Sequence, residues 1–285
     1  DLNNSVSGYG ANQTWGWQGK RGAKLRGRLS LSKTGIALML VDTLGDFVFE
    51  NGNLSVRGGV DATRNTIDFI YNNAEKIDET IILRDCHPSG FHITLSCWWE
   101  KDGYSPRAFT EIDETWTPRF YPEWSRFYLK ELAATGQPKL RIWWEHCVEG
   151  TPGANLPAEL GEAVTWLRAA RDVKVITLFK GMNPKIEQFG FLPCVYEVGD
   201  PMLAYQKSIL DHVMDLCGAG KKVFVAGLAE DICVDTTLSQ MITTEGERGN
   251  VYLLQDCTSP VLEKDRGNNF ERYRAAGMHI IKSTD

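Results

Sequence analysis

The sequence predicts an α/β fold: a mainly parallel sheet with helices packed on both faces. Three observations predict it. Short, continuously apolar runs recur along the chain, as in strands buried on both faces. Stretches with helical spacing follow them in alternation, the pattern of repeated β-then-α units. The 285 residues, 42% hydrophobic and 24% charged, suffice for one large core.

Residues 36–42 (IALMLVD) form the first apolar run. A helix is expected over about 61–76, where Ile67, Ile70 and Ala74 recur at helical spacing, and a second strand at 79–85 (ETIILRD). Further strands are expected at 173–179, 222–227, 250–255 and 279–282. Helices are expected near 202–217, 232–244 and 260–276, with Gly218 and Gly277 as stops. The first 34 residues, rich in Gly, Asn and Ser and then basic from Lys20 to Arg28, predict an irregular arm, solvated or docked on a neighbouring subunit. The globular domain is then expected over 35–285. Residues 93–140 break the rhythm, with ten aromatics between Trp98 and Tyr128 and no clean period, and predict an insertion packed onto the domain.

The composition narrows the function. A net charge of -6 argues against nucleic acid as a partner, because phosphate binding needs a basic surface. The longest apolar run, Gly35 to Val41, is far short of the roughly 20 residues a membrane span requires. Seven cysteines (Cys86, Cys97, Cys147, Cys194, Cys217, Cys233 and Cys257), odd in number and without a CxxC pair, predict reduced thiols and a cytoplasmic location.

In doubly wound sheets, ligands bind at the carboxyl ends of the strands. Asp42 ends the first strand, Asp85 the second, and Lys180 follows the strand at 173–179. Gly227 ends another, and a tight loop leads from it to Cys233 at the start of a helix. Two carboxylates, an ammonium and a thiol are thus expected on one edge. A thiol near a helix N-terminus is expected to have a lowered pKa, and the amides there can hold an oxyanion. Asp42 could take the thiol proton and Lys180 could stabilise the thiolate. The plainer readings are a helix-capping carboxylate for Asp42 and a small apolar core residue for Cys233. A second cluster is metal-like. Asp85 and His87 sit two apart in an extended segment, His92 follows, and His146 stands in WWEHCVEGT. Two imidazoles and a carboxylate suit zinc, iron or manganese, although His87 could equally cap a loop before Pro88.

Five strings, in order, resemble the nicotinamidase branch of the isochorismatase-like cysteine hydrolases: ALMLVDTLGDFVFENGNLSVRGG, DCHPSGFH, EHCVEGTPGANL, FKGMNP and GLAEDICV. The resemblance implies that Asp42, Lys180 and Cys233 are catalytic. It implies a cis Leu228–Ala229 peptide, with the amides of Ala229 and Cys233 forming an oxyanion hole. It also implies one divalent transition metal on Asp85, His87 and His146, with His92 a further candidate, zinc foremost and iron or manganese next. The expected substrate is a small carboxamide, with Phe47 either a contact for its ring or ordinary core packing, and the expected assembly is a homo-oligomer. Alternatives are a related amidase acting on another small amide or ureide, a vinyl-ether hydrolase that does not need the cysteine, and a catalytically silent protein on the same fold. The chain departs from the family in having Leu44 and Gly45 in the opening motif, a His87–His92 spacing one residue short, and the long link over 93–140. That link joins the segments carrying His92 and His146, so it is expected either to close over the mouth of the pocket, or of the neighbouring subunit's pocket, with walls from among Trp98, Trp99, Trp116 and Trp124, or to form a satellite core.

Overall fold

The computed structural model describes residues 35–285 apart from 136, 137 and 198, so the arm expected over 1–34 lies outside the described residues. In chain order the elements are β1 (Ile36–Val41), a short helix α1 (Gly45–Val48), α2 (Gly59–Asn72) and β2 (Ile77–Asp85). Within the insertion come β3 (Trp99–Glu100), β4 (Thr117–Pro118) and α3 (Pro122–Ala134). Then follow α4 (Ala158–Arg171), β5 (Lys174–Lys180), α5 (Pro201–Gly218), β6 (Lys222–Leu228), α6 (Asp235–Thr243), β7 (Val251–Ser259), α7 (Arg266–Ala275) and β8 (His279–Ile281).

Six strands form one sheet in the order β5-β2-β1-β6-β7-β8, every pairing parallel. The predicted fold class holds. All of β1 is buried, because its alternate side chains feed two cores. Ala37, Met39 and Val41 pack with Ile209, Val213, Leu238 and Tyr273 from α5, α6 and α7. Leu38 and Leu40 pack on the other face with Ile67 and Ile70 of α2 and Leu160 and Leu167 of α4. From β1 the chain builds outward to β2 and β5, then returns to place β6 on the other side of β1. The order reverses between β1 and β6, which opens a crevice at their carboxyl ends.

The boundaries shift for local reasons. The helix expected to run to 76 stops at Asn72, because the Asn73 carbonyl accepts from Lys76 and Ile77 in a turn that starts β2 early. The last long helix starts at Arg266, not 260, since the Asp231 carboxylate takes the amides of Val261 and Leu262, each at 2.8 Å. The helix α4 was not predicted, although Leu160, Ala163, Val164 and Leu167 carry its apolar stripe at i, i+3, i+4 and i+7. Among the described residues, no helix is long and apolar enough to cross a membrane.

The aromatic stretch builds a satellite core. Trp98 and Trp99 are wholly buried with Ile93, Ile112, Tyr128, Leu132 and Ile142, joined by Ile186 and Val195 from the segment after β5. Both indoles are satisfied within the chain: Trp98 Nε1 donates to Ser125 Oγ at 3.0 Å and Trp99 Nε1 to the Ile93 carbonyl at 2.7 Å. Trp124 and Trp116 pack against this cluster, and Trp124 donates to the Lys185 carbonyl at 2.9 Å. Trp99→Ala is therefore expected to destabilise the fold by about 3–5 kcal/mol, measured by denaturant unfolding. Tyr104→Ala, at a 77% exposed position in the same segment, is expected to stay within about 0.5 kcal/mol of the parent. Equal effects would mean that the two aromatics are equivalent surface groups.

Candidate active site

Strand register assembles the site. Val41 pairs with Gly227 across β1 and β6, and Asp85 pairs with Lys180 across β2 and β5. The chain turns sharply after β1, where Asp42 adopts a left-handed φ of 47°, a conformation a non-glycine residue holds only when its surroundings impose it. Gly227 has a φ of 140°, and a Cβ there would run into the Val41 carbonyl. Only glycine lets β6 lie this close to the strand end that carries Asp42.

Lys180 lies at the centre, wholly enclosed. Its Nζ is 2.7 Å from Asp42 Oδ2 and 3.2 Å from Asp85 Oδ1, and it donates to the Gln188 carbonyl at 3.2 Å and lies 3.9 Å from Cys233 Sγ. Asp42 Oδ1 accepts the backbone amide of Asp85 at 2.8 Å. The four functional side chains expected at the strand ends thus meet in one buried cluster. Burial disfavours the Lys180 charge, but Asp42 and Asp85 hold the ammonium well above the ordinary lysine value. Burial pushes Asp42 up to about 6, although the neighbouring Lys180 opposes the shift. The thiol departs from expectation. Burial pushes Cys233 well above the ordinary cysteine value, and Lys180 does not offset it, because Asp42 and Asp85 add their own negative charge nearby. The residue also sits not on an ordinary helix N-terminus but in a π-helical turn, Glu230–Val234, ahead of α6. The Leu228–Ala229 peptide that leads into this turn is cis, as the resemblance implied.

The second cluster adjoins the first through Asp85. Its Oδ2 lies 3.0 Å from His87 Nε2 and 3.4 Å from His146 Nε2, with all three residues buried. His87 Nδ1 donates to the Gly181 carbonyl at 3.1 Å, and His146 Nδ1 donates to the Trp144 carbonyl at 2.6 Å. Those backbone acceptors fix the tautomers and leave both Nε2 atoms facing the carboxylate. Gly181, at φ 72°, is required here, since a Cβ would meet His87 Cε1 at 2.6 Å. The three ligand atoms lie within 4.8 Å of one another, a carboxylate with two imidazoles around one point, and they fit a divalent ion of the transition series. His92 does not join them. Its Nδ1 is 2.8 Å from Thr94 Oγ1 and its Nε2 donates to the Ile186 carbonyl at 3.1 Å, so both ring nitrogens are spent on the protein. The ring is instead held by the segment that opens the insertion and by the one after β5.

Phe47 is buried, with its ring 5.5 Å from that of His146 and in one cluster with Leu228 and Ala229. It stands between the two halves of the site. The unusual Leu44 is part of the same cluster, and the Gly45 amide donates to the Asn155 carbonyl at 2.9 Å. A Cβ on Gly45 would meet the Pro152 carbonyl oxygen at 2.9 Å, so these departures serve loop packing.

Three supporting residues were not foreseen. Asp46 is buried, accepting the amide of Asn53 at 3.0 Å and of Cys147 at 2.7 Å, which ties the loop after β1 to the neighbour of His146. Glu187 is a second buried carboxylate, which accepts Trp143 Nε1 at 3.1 Å and the Gln188 amide at 2.9 Å. Burial raises its pKa, while the His87 and His146 charges act in the opposite sense across the cluster. Gln188 supplies the carbonyl that anchors Lys180, and its own amide group donates to Gly190 and Phe191. No sequence signal marks these three, since acids and glutamines are ordinarily exposed and only their burial in the fold sets them apart.

No family model matches the chain. A nicotinamidase of Schizosaccharomyces pombe is 24% identical over 251 residues, covering 87% of this chain and 94% of that protein. Among solved structures, the yeast nicotinamidase bound to the inhibitor nicotinaldehyde superposes with a TM-score of 0.58 at 19% identity, over 86% of this chain and 99% of that one. A pyrazinamidase of Pyrococcus horikoshii in complex with zinc gives a TM-score of 0.50 at 22% identity, over 86% and 98%. The chain shares their fold, and the similarity covers nearly the whole length of each of them.

The nitrogen partners separate the histidines. His87→Ala or His146→Ala is expected to weaken binding of one zinc ion by at least about 100-fold, whereas His92→Gln is expected to change it by less than about 10-fold, as measured by chelator competition. A loss for His92→Gln matching that of the other two would place its ring among the ligands.

Proposed function

We propose that this protein is a cysteine amidohydrolase that cleaves a small, nicotinamide-like carboxamide to its carboxylate and ammonia. The observation that carries the reading is the position of Lys180, whose ammonium touches Asp42 and Asp85 and lies 3.9 Å from the Cys233 sulfur. A buried acid–base–thiol cluster of this composition has the parts needed for covalent acyl transfer. The substrate class is supported by the nicotinamidases that the chain resembles in sequence and in fold.

In this reading Asp42 is the general base. The thiol is held protonated in the resting site, so thiolate forms only as substrate arrives: the Cys233 proton passes to Asp42 while Sγ attacks the amide carbon. Lys180 steadies the sulfur's developing charge, and the amides of Ala229 and Cys233 hold the tetrahedral oxygen. The protonated Asp42 then returns its proton to the leaving nitrogen, and ammonia departs to leave a Cys233 thioester. Water loses a proton to Asp42 as it attacks the thioester, the C–S bond breaks, Asp42 returns that proton to the sulfur, and the carboxylic acid formed leaves as carboxylate with its proton passed to ammonia or solvent. A divalent transition metal, zinc foremost and iron or manganese next, would be held by Asp85, His87 and His146 and would supply a Lewis-acid contact for a ring nitrogen of the substrate. Phe47, beside His146 and the Leu228–Ala229 turn, would form one wall for the substrate ring.

Ammonia release from nicotinamide tests the proposal directly. Cys233→Ala is expected to abolish it, and Asp42→Asn to reduce it by about 100- to 10,000-fold, with the fold retained by circular dichroism. Near-parental turnover by Cys233→Ala would remove the cysteine mechanism.

The pH profile is a separate test of the base. Asp42 must be ionised to accept the thiol proton, and burial raises it to about 6. With metal kept saturating, kcat/KM is therefore expected to fall as pH drops through about 6 and to level off above it. A profile unchanged between acid and neutral pH would assign the base elsewhere.

A further inference from the structure

The turn that carries Cys233 is tied to the segment after β7 by charges that none of the steps above employs. Glu230 directly follows Ala229 and is wholly buried. One of its oxygens, Oε2, accepts the Thr258 hydroxyl and pairs with Arg266 at 2.9 Å. Arg266 also donates to the Gln255 carbonyl at 2.6 Å, and its guanidinium lies 5.2 Å from the centre of the Phe270 ring. The other oxygen, Oε1, has no hydrogen-bond partner among the described residues, nor has Arg266 Nε. The next residue, Asp231, holds the amides of Val261 and Leu262 at 2.8 Å each. Ahead of the turn, Gly227 and Leu228 pair with Thr258 and Ser259 of the same strand β7, after a break in the β6–β7 register.

Stability alone gives this arrangement little reason to exist. A buried ion pair recovers its desolvation cost only when its remaining lone pairs and protons are satisfied, and here an atom on each side is not. Apolar side chains would fill the same space at lower cost. The pair does accomplish one thing that packing cannot: it fixes a short backbone segment in direction as well as in place. Glu230 sits between Ala229 and Cys233, so an anchor on its side chain sets the orientation of the amides on either side. Such orientation matters where donors must be aimed before charge develops, because donors that need not reorganise stabilise a transition state best.

We propose that Glu230 and Arg266 are positioning residues that fix the amides of Ala229 and Cys233, with Thr258 of β7 and the Asp231 carboxylate, which holds the Val261 and Leu262 amides of the β7–α7 connection, completing the anchor. The proposal rests on the reading of Cys233 as nucleophile and of these amides as the oxyanion hole. Neither side chain need touch the substrate, and the effect is confined to the step in which the oxyanion forms.

The experiment compares the full-length parent, Glu230→Gln, Arg266→Met, Arg266→Lys and Thr258→Val, each loaded with metal. Glu230→Gln and Arg266→Met are expected to lower kcat for nicotinamide by about 10- to 100-fold with KM within about 2-fold. Affinity for pyridine-3-carbaldehyde, whose adduct with the thiol carries the tetrahedral oxygen, should fall in parallel. Alkylation of Cys233 by iodoacetamide needs no oxyanion contact and should change by less than about 3-fold. Arg266→Lys should recover part of the loss, since a cation is restored. If Glu230→Gln does not fold, Thr258→Val and Arg266→Lys read the same quantities through smaller changes. A kcat within about 2-fold of the parent in the folded variants overturns the proposal. So does an alkylation rate that falls as far as kcat, which marks a general loosening of the turn. Cys233→Ala run beside them separates the two levels: if it still hydrolyses nicotinamide, the nucleophile reading has failed whatever the Glu230 variants do.

Discussion

One enclosed ammonium organises the described structure. Lys180 is as buried as any side chain in the core, and removing its charge from water costs several kcal/mol that only close anions can return. It therefore requires both Asp42 and Asp85 within contact. Asp85 ends β2 in register with Lys180 of β5, and Asp42 directly follows β1, whose last residue Val41 pairs with Leu83. A slip of one residue in any of these strands would turn its terminal side chain to the opposite face and leave a buried charge unpaired. The sheet and the site are thus a single electrostatic arrangement. The glycines at 181 and 227 serve it, one giving His87 room and the other letting β6 approach the end of β1.

Much of this was legible in the sequence because it is carried by period and punctuation. The six principal strands show as apolar runs, and the strand-end residues Asp42, Asp85 and Lys180 follow from the rule that ligands gather at carboxyl ends. What was not legible depends on distance across the fold. His92 has the right side chain near the right place, but its two nitrogens meet Thr94 and the Ile186 carbonyl, and the latter contact spans 94 residues of sequence. Glu187 and Asp46 are ordinary acids in the sequence, and only their burial beside the histidine segments gives them a part in the site. The helix α4 is a different kind of omission. Its stripe from Leu160 to Leu167 was readable, but it lies between an irregular insertion and a strand, where the β-then-α rhythm was hard to follow.

The insertion shows how a long irregular segment is made affordable. Its backbone is mostly loop, so few of its polar groups can be met by regular ladders. The aromatics provide apolar area with little side-chain entropy to lose, and their ring nitrogens supply directional links. Trp124 and Tyr128 reach into the segment 185–187, by way of the Lys185 carbonyl and the Glu187 amide. That segment leads directly to Gln188, whose carbonyl holds Lys180. The insertion and the buried ammonium are therefore joined by a short, continuous chain of contacts. A separate lid would have left the Trp98 and Trp99 indoles facing a pocket; both are instead consumed in internal hydrogen bonds.

The protonation pattern of the cluster is compatible with the proposed role of a buried thiol as nucleophile. Asp85 is held ionised against its burial by His87 and Lys180 together, and Lys180 is held charged by its two carboxylates. That leaves Asp42 and Cys233, both raised by burial, to share one mobile proton. With the proton on sulfur, the charged members are two carboxylates and one ammonium, and the thiol is neutral. A preformed thiolate beside an ionised Asp42 would add a third negative charge to that set, which the low-dielectric interior resists. In the proposed mechanism, moving the proton to Asp42 as a carbonyl arrives takes one negative charge off the cluster, since sulfur's charge passes on to the substrate oxygen. The negative charge thus leaves the crowded carboxylate side and ends at the turn after β6. On the reading proposed for this site, the geometry of that turn, more than the basicity of the thiol, then governs how readily the first bond forms.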